Sequence, residues 1–261
     1  MENVKQLSVV IITKNEEKNI ERCLRSVLPI ADDIVIVDSC STDKTKELSE
    51  RFKVRFFEKE WKGFAKTKNE ANKLAKYDWI FSIDADEVLS TELQSSILKE
   101  KKSEEIFYYK INRLTNYCGK WIKYSGWYPD KKLRFFNRKH TKWVGEYVHE
   151  KLETKGIIPE IKLLDGHLYH FSFSSIAQHI DTINRFSSLS AQELFSKKIK
   201  ANYFKLLFEP IYKFLKIYFF KTAFRDGFYG FVIAVISAYS RFLKQLKLFH
   251  LERSNNLSKN N

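Results

Sequence analysis

The first ninety residues alternate short apolar runs with stretches of helical periodicity, and that order leaves few folds open. Leu7–Ile12 is a continuous β-branched run, the composition of a strand buried on both faces. Ile34–Val37, Val54–Phe57 and Trp79–Ile83 repeat the pattern. Between them, Glu16–Leu28 sets Ile20, Leu24, Val27 and Leu28 at helical spacing, and Pro29 closes the run. Ser41-Thr42-Asp43 supply N-cap candidates for a helix reaching Arg51, and Phe64–Ala75 turns Phe64, Ala71, Leu74 and Ala75 inward. Ser90-Thr91-Glu92 opens a further helix. The β-α-β-α-β-α-β order predicts an α/β fold with a mostly parallel sheet and right-handed crossovers. Ligands of such sheets bind outside the carboxyl ends of the strands.

Three polar clusters stand at those ends: Thr13-Lys14-Asn15-Glu16, Asp38-Ser39 and Asp84-Ala85-Asp86. Residues two apart in a strand share a face, so Asp84 and Asp86 are expected to project together. Two carboxylates so close repel each other. A hard divalent cation relieves that repulsion and brings a phosphate-bearing substrate; the alternative is a solvated polar strand end.

After Glu105 the texture changes. Ile106–Asn112 and Lys132–Phe136 read as strands, separated by an aromatic-rich loop with Trp121, Trp127 and Tyr128. Trp143–Glu150 and His167–His170 follow, so this part reads as a mixed or antiparallel extension. From Ser174 the chain reads as helical. The expected division is residues 1–173 for nucleotide binding and catalysis, 174–253 for a helical region, and 254–261 for a tail without structure.

The formal net charge of +14 is uneven. Lys197–Arg253 holds twelve Lys/Arg against three Asp/Glu. Within it, Tyr203–Phe249 interleaves aromatic and aliphatic residues with Lys205, Lys213, Lys216 and Lys221. A basic amphipathic helix with large rings predicts an interfacial anchor on an anionic membrane surface; the alternative is a helix packed on the catalytic domain. Asp226-Gly227 is expected to break this region in two. No stretch reaches the roughly 18 apolar residues of a spanning helix. The start of the chain reaches a strand at once, without a secretory apolar segment. Cys23, Cys40 and Cys118 match neither a zinc site nor a disulfide framework, which predicts free thiols. No nucleic-acid motif accompanies the basic charge.

Four strings resemble the opening half of family 2 glycosyltransferases: Val9–Glu16, Val35–Thr45 (with Cys40 where a Gly is more usual), Gly63–Asn69 and Ile83–Glu87. Trp127-Tyr128-Pro129-Asp130, Leu133–Phe136, Gly145 with Val148-His149-Glu150, and Asp226 with Gly227–Phe231 are similar to the branch that builds lipopolysaccharide inner core, including heptose β-glucosyltransferases. The resemblance implies a GT-A fold, a UDP-sugar donor and Mg2+ or Mn2+. Thr13, Asn15 and Glu16 would line the nucleobase and ribose pocket, and Asp38 would hydrogen-bond the base or ribose. Lys66 and Asn69 would lie near the pyrophosphate and the floor of the donor pocket. Asp86 would hold the metal, with Asp84 on the ribose or the metal.

An inverting transfer needs a base for the acceptor hydroxyl. The family carries it as a carboxylate in this part of the chain, which implies Glu150, with Glu146 as alternative. His149, standing where an acidic pair is usual, would be a partner of that base or a metal contact. His167 and His170 read either as structural or as completing the metal site. Arg134 and Arg138 read as strand-end charges or as phosphate ligands. Trp127 and Tyr128 read as core or as sugar-stacking rings on the acceptor side; Lys14 reads as solvated.

The expected activity is inverting transfer of a hexose, glucose foremost, from a UDP-sugar to a lipid-linked saccharide such as lipopolysaccharide core heptose. The expected place is the cytoplasmic face of the inner membrane, held peripherally. Transfer to a polyprenyl phosphate and a non-catalytic sugar-nucleotide-binding protein are the rivals. The first calls for longer hydrophobic helices, and the intact Asp84, Asp86 and Glu150 argue against the second. A nucleotidyltransferase would need a Gly-rich opening loop where Thr13–Glu16 stands.

Overall fold

The structure, a computed structural model, describes residues 4–105, 107–145, 150–156 and 160–260, with 256–260 described by backbone alone. The chain divides into two compact units that interleave along the sequence: residues 1–114 with 129–171, and 115–128 with 172–261.

The first unit opens with β1 (Leu7–Thr13), α1 (Ile20–Val27), β2 (Asp33–Asp38), α2 (Thr45–Glu50), β3 (Arg55–Glu58), α3 (Phe64–Leu74) and β4 (Trp79–Asp84). The strands lie in the order β3-β2-β1-β4, all parallel. Alternate residues of β1 serve two cores, which is why the run is apolar throughout. Leu7, Val9 and Ile11 pack with Ile20, Leu24 and Val27 of α1, whereas Val10 and Ile12 pack with Ala65 and Ala71 of α3.

The expected antiparallel extension follows. After β4 come β5 (Glu87–Leu89), α4 (Thr91–Lys102), β6 (Tyr108–Tyr117), β7 (Lys120–Ile122), β8 (Asp130–Asn137), β9 (Thr141–Val144), β10 (Lys151–Thr154) and β11 (Ile161–Phe173). β8 runs antiparallel to β4, β6 to β8, and β5 to β11. β9 and β10 form a separate hairpin. Ser90 caps α4 as expected, its hydroxyl accepting from Leu93 N at 3.1 Å.

Two helices start later than their periodicity suggests. The backbone N–H groups of Asn15, Glu16 and Glu17 donate to the side chains of Ser41, Thr45 and Asp43, so both segments are used to lace the loop after β1 to the loop after β2. The helices begin only at Ile20 and Thr45.

The second unit holds β7 and the helices α5 (Ile176–Ser196), α6 (Tyr203–Leu215) and α7 (Phe228–Asn260), with a π-helical segment Lys216–Phe220 and a 3-10 turn Ala223–Asp226 before α7. The expected break at Asp226-Gly227 is present, and Gly227 has φ 63°. A Cβ on Gly230 would lie 1.8 Å from the Ala223 carbonyl oxygen, so only glycine fits where α7 passes that turn. The Asp226 carboxylate accepts from the backbone N–H groups of Lys123 and Tyr124 and from the Ser125 hydroxyl. These bonds tie residues 115–128 to the helical unit. α7 continues to Asn260, since extending an existing helix adds a hydrogen bond per residue without a new nucleus. Among the described residues, no helix is long and apolar enough to cross a membrane.

Candidate active site

The Asp84-Ala85-Asp86 cluster does not behave as an extended strand. β4 ends at Asp84, and Ala85-Asp86 turn into β5. The two carboxylates therefore part company. Asp84 Oδ1 lies 3.1 Å from Lys68 Nζ and its Oδ2 lies 2.8 Å from Arg134. Burial disfavours the charged form of Asp84, but the two cations outweigh it and hold its pKa well below the carboxylate range. Asp86 has a different partner, with Oδ2 3.1 Å from His170 Nε2. Burial lowers the His170 pKa, yet the Asp86 carboxylate overrides it and the net shift is upward.

Asp84 is one member of a chain of alternating charges. Glu150 Oε1 meets Lys68 at 3.1 Å; Lys68 meets Asp84; Arg134 joins Asp84 to Glu87 at 2.8 Å; Arg113 joins Glu87, at 3.1 Å, to Asp130, at 2.7 Å; Lys132 closes the row on Asp130. Glu87 is fully buried, and its Oε2 also accepts from Asp84 N at 3.0 Å. Burial lowers the Arg134 pKa, but Asp84 and Glu87 raise it further. Removing one partner from such a row leaves its neighbours charged and desolvated.

The residues at the ends of β1 and β2 converge as expected. Thr13 is buried, and its Oγ1 has no hydrogen-bond partner among the described residues; the same holds for Ser39 Oγ. Asn15 adopts φ 53°, and its Oδ1 accepts from Thr42 N at 2.8 Å. Cys40 has φ 57°, a left-handed conformation in which glycine carries no steric cost. Both oxygens of Asp38 accept from Ser41, which closes that loop. Burial pushes the Glu16 carboxyl up to about 7, with the Asp86 charge adding to the rise and a hydrogen bond from Asn19 opposing it.

Several expected ligands are engaged otherwise. Lys66 is exposed, and the buried cation of α3 is Lys68. The Asn69 side chain bonds both backbone groups of Trp143, accepting from its N–H at 2.9 Å and donating to its C=O at 2.7 Å. Arg134 is enclosed by carboxylates. Arg138 donates to the Asn72 and Ala75 carbonyls at the end of α3. Trp127 and Tyr128 belong to the second unit, where Trp127 packs edge-on to Tyr117 and His179. The His167 ring stacks on Tyr169. Glu146 and His149 lie outside the described residues, whereas Glu150 lies within them.

Lys68, Glu87 and Arg113 escaped the sequence reading. Lys68 did carry a signal: it falls three residues from Ala65 and from Ala71, on the buried stripe of α3, where an unpaired lysine is rare. Lys66 is out of phase with that stripe.

A family model described as Glycosyl transferase family 2 matches residues 8–152, more than half of the chain. The chain belongs to glycosyltransferase family 2. An uncharacterized glycosyltransferase of Rickettsia typhi is 34% identical over 257 residues, 95% of this glycosyltransferase and 88% of that one. The lipopolysaccharide core biosynthesis glycosyltransferase LpsC of Rhizobium meliloti is 31% identical over 256 residues, 93% of this chain and 92% of its own. Among solved structures, S. aureus TarS overlaps 70% of this glycosyltransferase and 39% of itself at 18% identity and TM-score 0.43. Glucosyl-3-phosphoglycerate synthase from Mycobacterium tuberculosis, solved with Mn2+, uridine-diphosphate and phosphoglyceric acid, overlaps 41% of this chain and 43% of itself at 21% identity and TM-score 0.37.

Proposed function

We propose that this glycosyltransferase moves a hexose, glucose foremost, from a UDP-sugar to a lipid-linked saccharide such as lipopolysaccharide core heptose, with inversion at the anomeric carbon. The observation that carries the donor half is the meeting of Asp86 with His170; the hydroxyls of Thr13 and Ser39, at the ends of β1 and β2, are buried and unpartnered among the described residues. An oxygen and a nitrogen donor side by side suit Mn2+, and Mg2+ through the carboxylate. Asp86 and His170 would hold the ion, which when bound supplies positive charge against the departing diphosphate. Asp84 is left to organise the site through Lys68 and Arg134. Thr13, Asn15, Glu16 and Asp38 frame the nucleoside.

For the acceptor half, Glu150 is the base. Lys68 takes its Oε1, and Oε2 receives the proton of the acceptor hydroxyl. The acceptor oxygen then bonds to the anomeric carbon as the bond from that carbon to the diphosphate oxygen breaks. Similarity to LpsC supports a lipopolysaccharide-type acceptor.

The second unit supports a peripheral place on the anionic cytoplasmic face of the inner membrane. Phe204, Leu207, Phe208, Ile211 and Tyr212 of α6 are exposed, and Phe220 is 82% exposed. Exposed Lys205, Lys216, Lys221 and Arg225 lie among them in sequence. Rings with neighbouring cations suit a lipid headgroup layer.

Thermal shift of the full chain with UDP-, GDP- and dTDP-hexoses, with and without Mn2+, tests the donor reading. UDP-glucose with Mn2+ should give the largest stabilisation. Equal shifts without the metal, or preference for another nucleotide, would reject it.

A further inference from the structure

We infer that Lys68 and Asn69, adjacent on α3, are positioning residues that set the place of the Glu150 carboxylate. The inference rests on the reading of Glu150 as the base. α3 holds the chain at two places, Trp143 and Glu150. At the first, the Asn69 amide makes a two-point bond with the Trp143 backbone, at 2.9 and 2.7 Å. At the other, Lys68 Nζ lies 3.1 Å from Glu150 Oε1. Flanking these anchors, β9 pairs with β10, with Trp143 opposite Leu152 and Val144 opposite Lys151.

Lys68 is suited to this and not to gripping a phosphate. It is 2% exposed. Its ammonium meets Asp84 Oδ1 at 3.1 Å, Glu150 at 3.1 Å, and the Trp143 ring with 4.8 Å to the centroid. An ammonium has three protons, and the two carboxylates and the ring surround it. Asp84 sits at the end of β4, a central strand, so Lys68 references the acceptor-side carboxylate to the sheet of the first unit. Without the cation, Asp84 and Glu150 would face each other as like charges, and Glu150 would move away. Misplacing a reacting group by about 1 Å costs on the order of 100-fold in rate.

The experiment compares full-length Lys68→Met, Lys68→Arg, Asn69→Ala and Glu150→Gln. Turnover is read as nucleotide released from the UDP-, GDP- or dTDP-hexose that the wild type turns over fastest with Mn2+. Hydrogen exchange is followed in peptides spanning β9 and β10. In Lys68→Met, kcat should fall on the order of 100-fold with donor KM within about 2-fold of wild type, because position and not donor binding is lost. Exchange in β9–β10 should rise while β1 and β4 stay protected. Lys68→Arg should recover most of kcat, and Asn69→Ala should reproduce the loosening at the Trp143 end. Should Lys68→Met not fold, Lys68→Arg and Asn69→Ala carry the test: unchanged kcat and unchanged β9–β10 exchange in both would overturn the inference. A donor KM that rises while kcat holds would overturn it too, because Lys68 would then be a donor ligand. Inactive Glu150→Gln beside fully active Lys68→Met sinks the positioning role alone. Fully active Glu150→Gln sinks the base reading, and with it the purpose assigned to Lys68.

Discussion

Asp86 Oδ2 lies 3.1 Å from His170 Nε2, while Asp84, two residues earlier, is taken by Lys68 and Arg134. The two aspartates of one short motif thus have separate work, and their variants should differ in kind. Asp86→Asn and His170→Ala should fold normally and lose the added stabilisation that UDP gives with Mn2+, about 2.7 kcal/mol when the ligand stands 100-fold above its Kd. Asp84→Asn should lower stability by about 2–4 kcal/mol, less than for a fully buried pair because Asp84 keeps some exposure. Differential scanning fluorimetry with and without UDP and Mn2+ reads both. Undiminished metal-dependent stabilisation in Asp86→Asn would remove Asp86 from the metal site.

Arg134 stands between Asp84 and the fully buried Glu87. Arg134→Met leaves both carboxylates without their shared cation and should cost about 3–5 kcal/mol in urea unfolding. The pair Arg134→Met with Glu87→Leu should recover part of that loss, because the buried charge goes with its partner. A Met variant of wild-type stability would show that the row of charges contributes nothing to the fold.

His179 of α5 is 3% exposed, and its Nδ1 lies 3.0 Å from the Tyr117 hydroxyl. Burial lowers its pKa from 6.5 to about 4. The unfolded chain therefore binds a proton at a pH where the native state does not, so stability falls as pH drops from 6.5 toward 4 and is full above 6.5. With partial solvent screening allowed for, the loss is about 2 kcal/mol. Chemical denaturation at pH 7 and pH 4.5 should show a smaller pH difference for His179→Gln than for wild type; an equal difference would assign the acid sensitivity to other groups.

The exposed rings of the second unit give the membrane reading its own test. The full-length triple variant Phe204→Glu, Phe208→Glu, Phe220→Glu should lose flotation with phosphatidylglycerol-containing vesicles while its thermal unfolding stays close to wild type. Each buried CH2 is worth about 0.8 kcal/mol, so three rings dominate the affinity. Flotation equal to wild type would place the lipid contact elsewhere or remove it.

Much of the first unit was legible because its signals are local. A β-branched run such as Leu7–Ile12 permits little besides a doubly buried strand, and four of them separated by helical spacing imply the parallel order that β3-β2-β1-β4 shows. The polar residues at the strand ends were legible for the same reason. The Ser90 cap and the break at Gly227 were also readable, since each depends on one residue type at one backbone conformation.

What a residue does inside the site was decided by the tertiary structure, because it depends on partners distant in sequence. Alternation predicted that Asp84 and Asp86 share a face; the chain turns after Asp84, and cations 16 residues before and 50 after claim it. Asn69 and Arg134 have the chemistry of substrate ligands, yet Trp143 and Glu87 reached them first. The same rule divides the molecule. The 115–128 segment precedes β8 and β11 of the sheet in sequence, but three hydrogen bonds to Asp226, a hundred residues away, make it part of the helical unit. The sequence by itself determined the family, the parallel sheet and the ends where chemistry gathers. Only folding decided which of the charged residues gathered there neutralise one another and which remain to meet a substrate, because a buried charge must find its counter-ion wherever the fold supplies it.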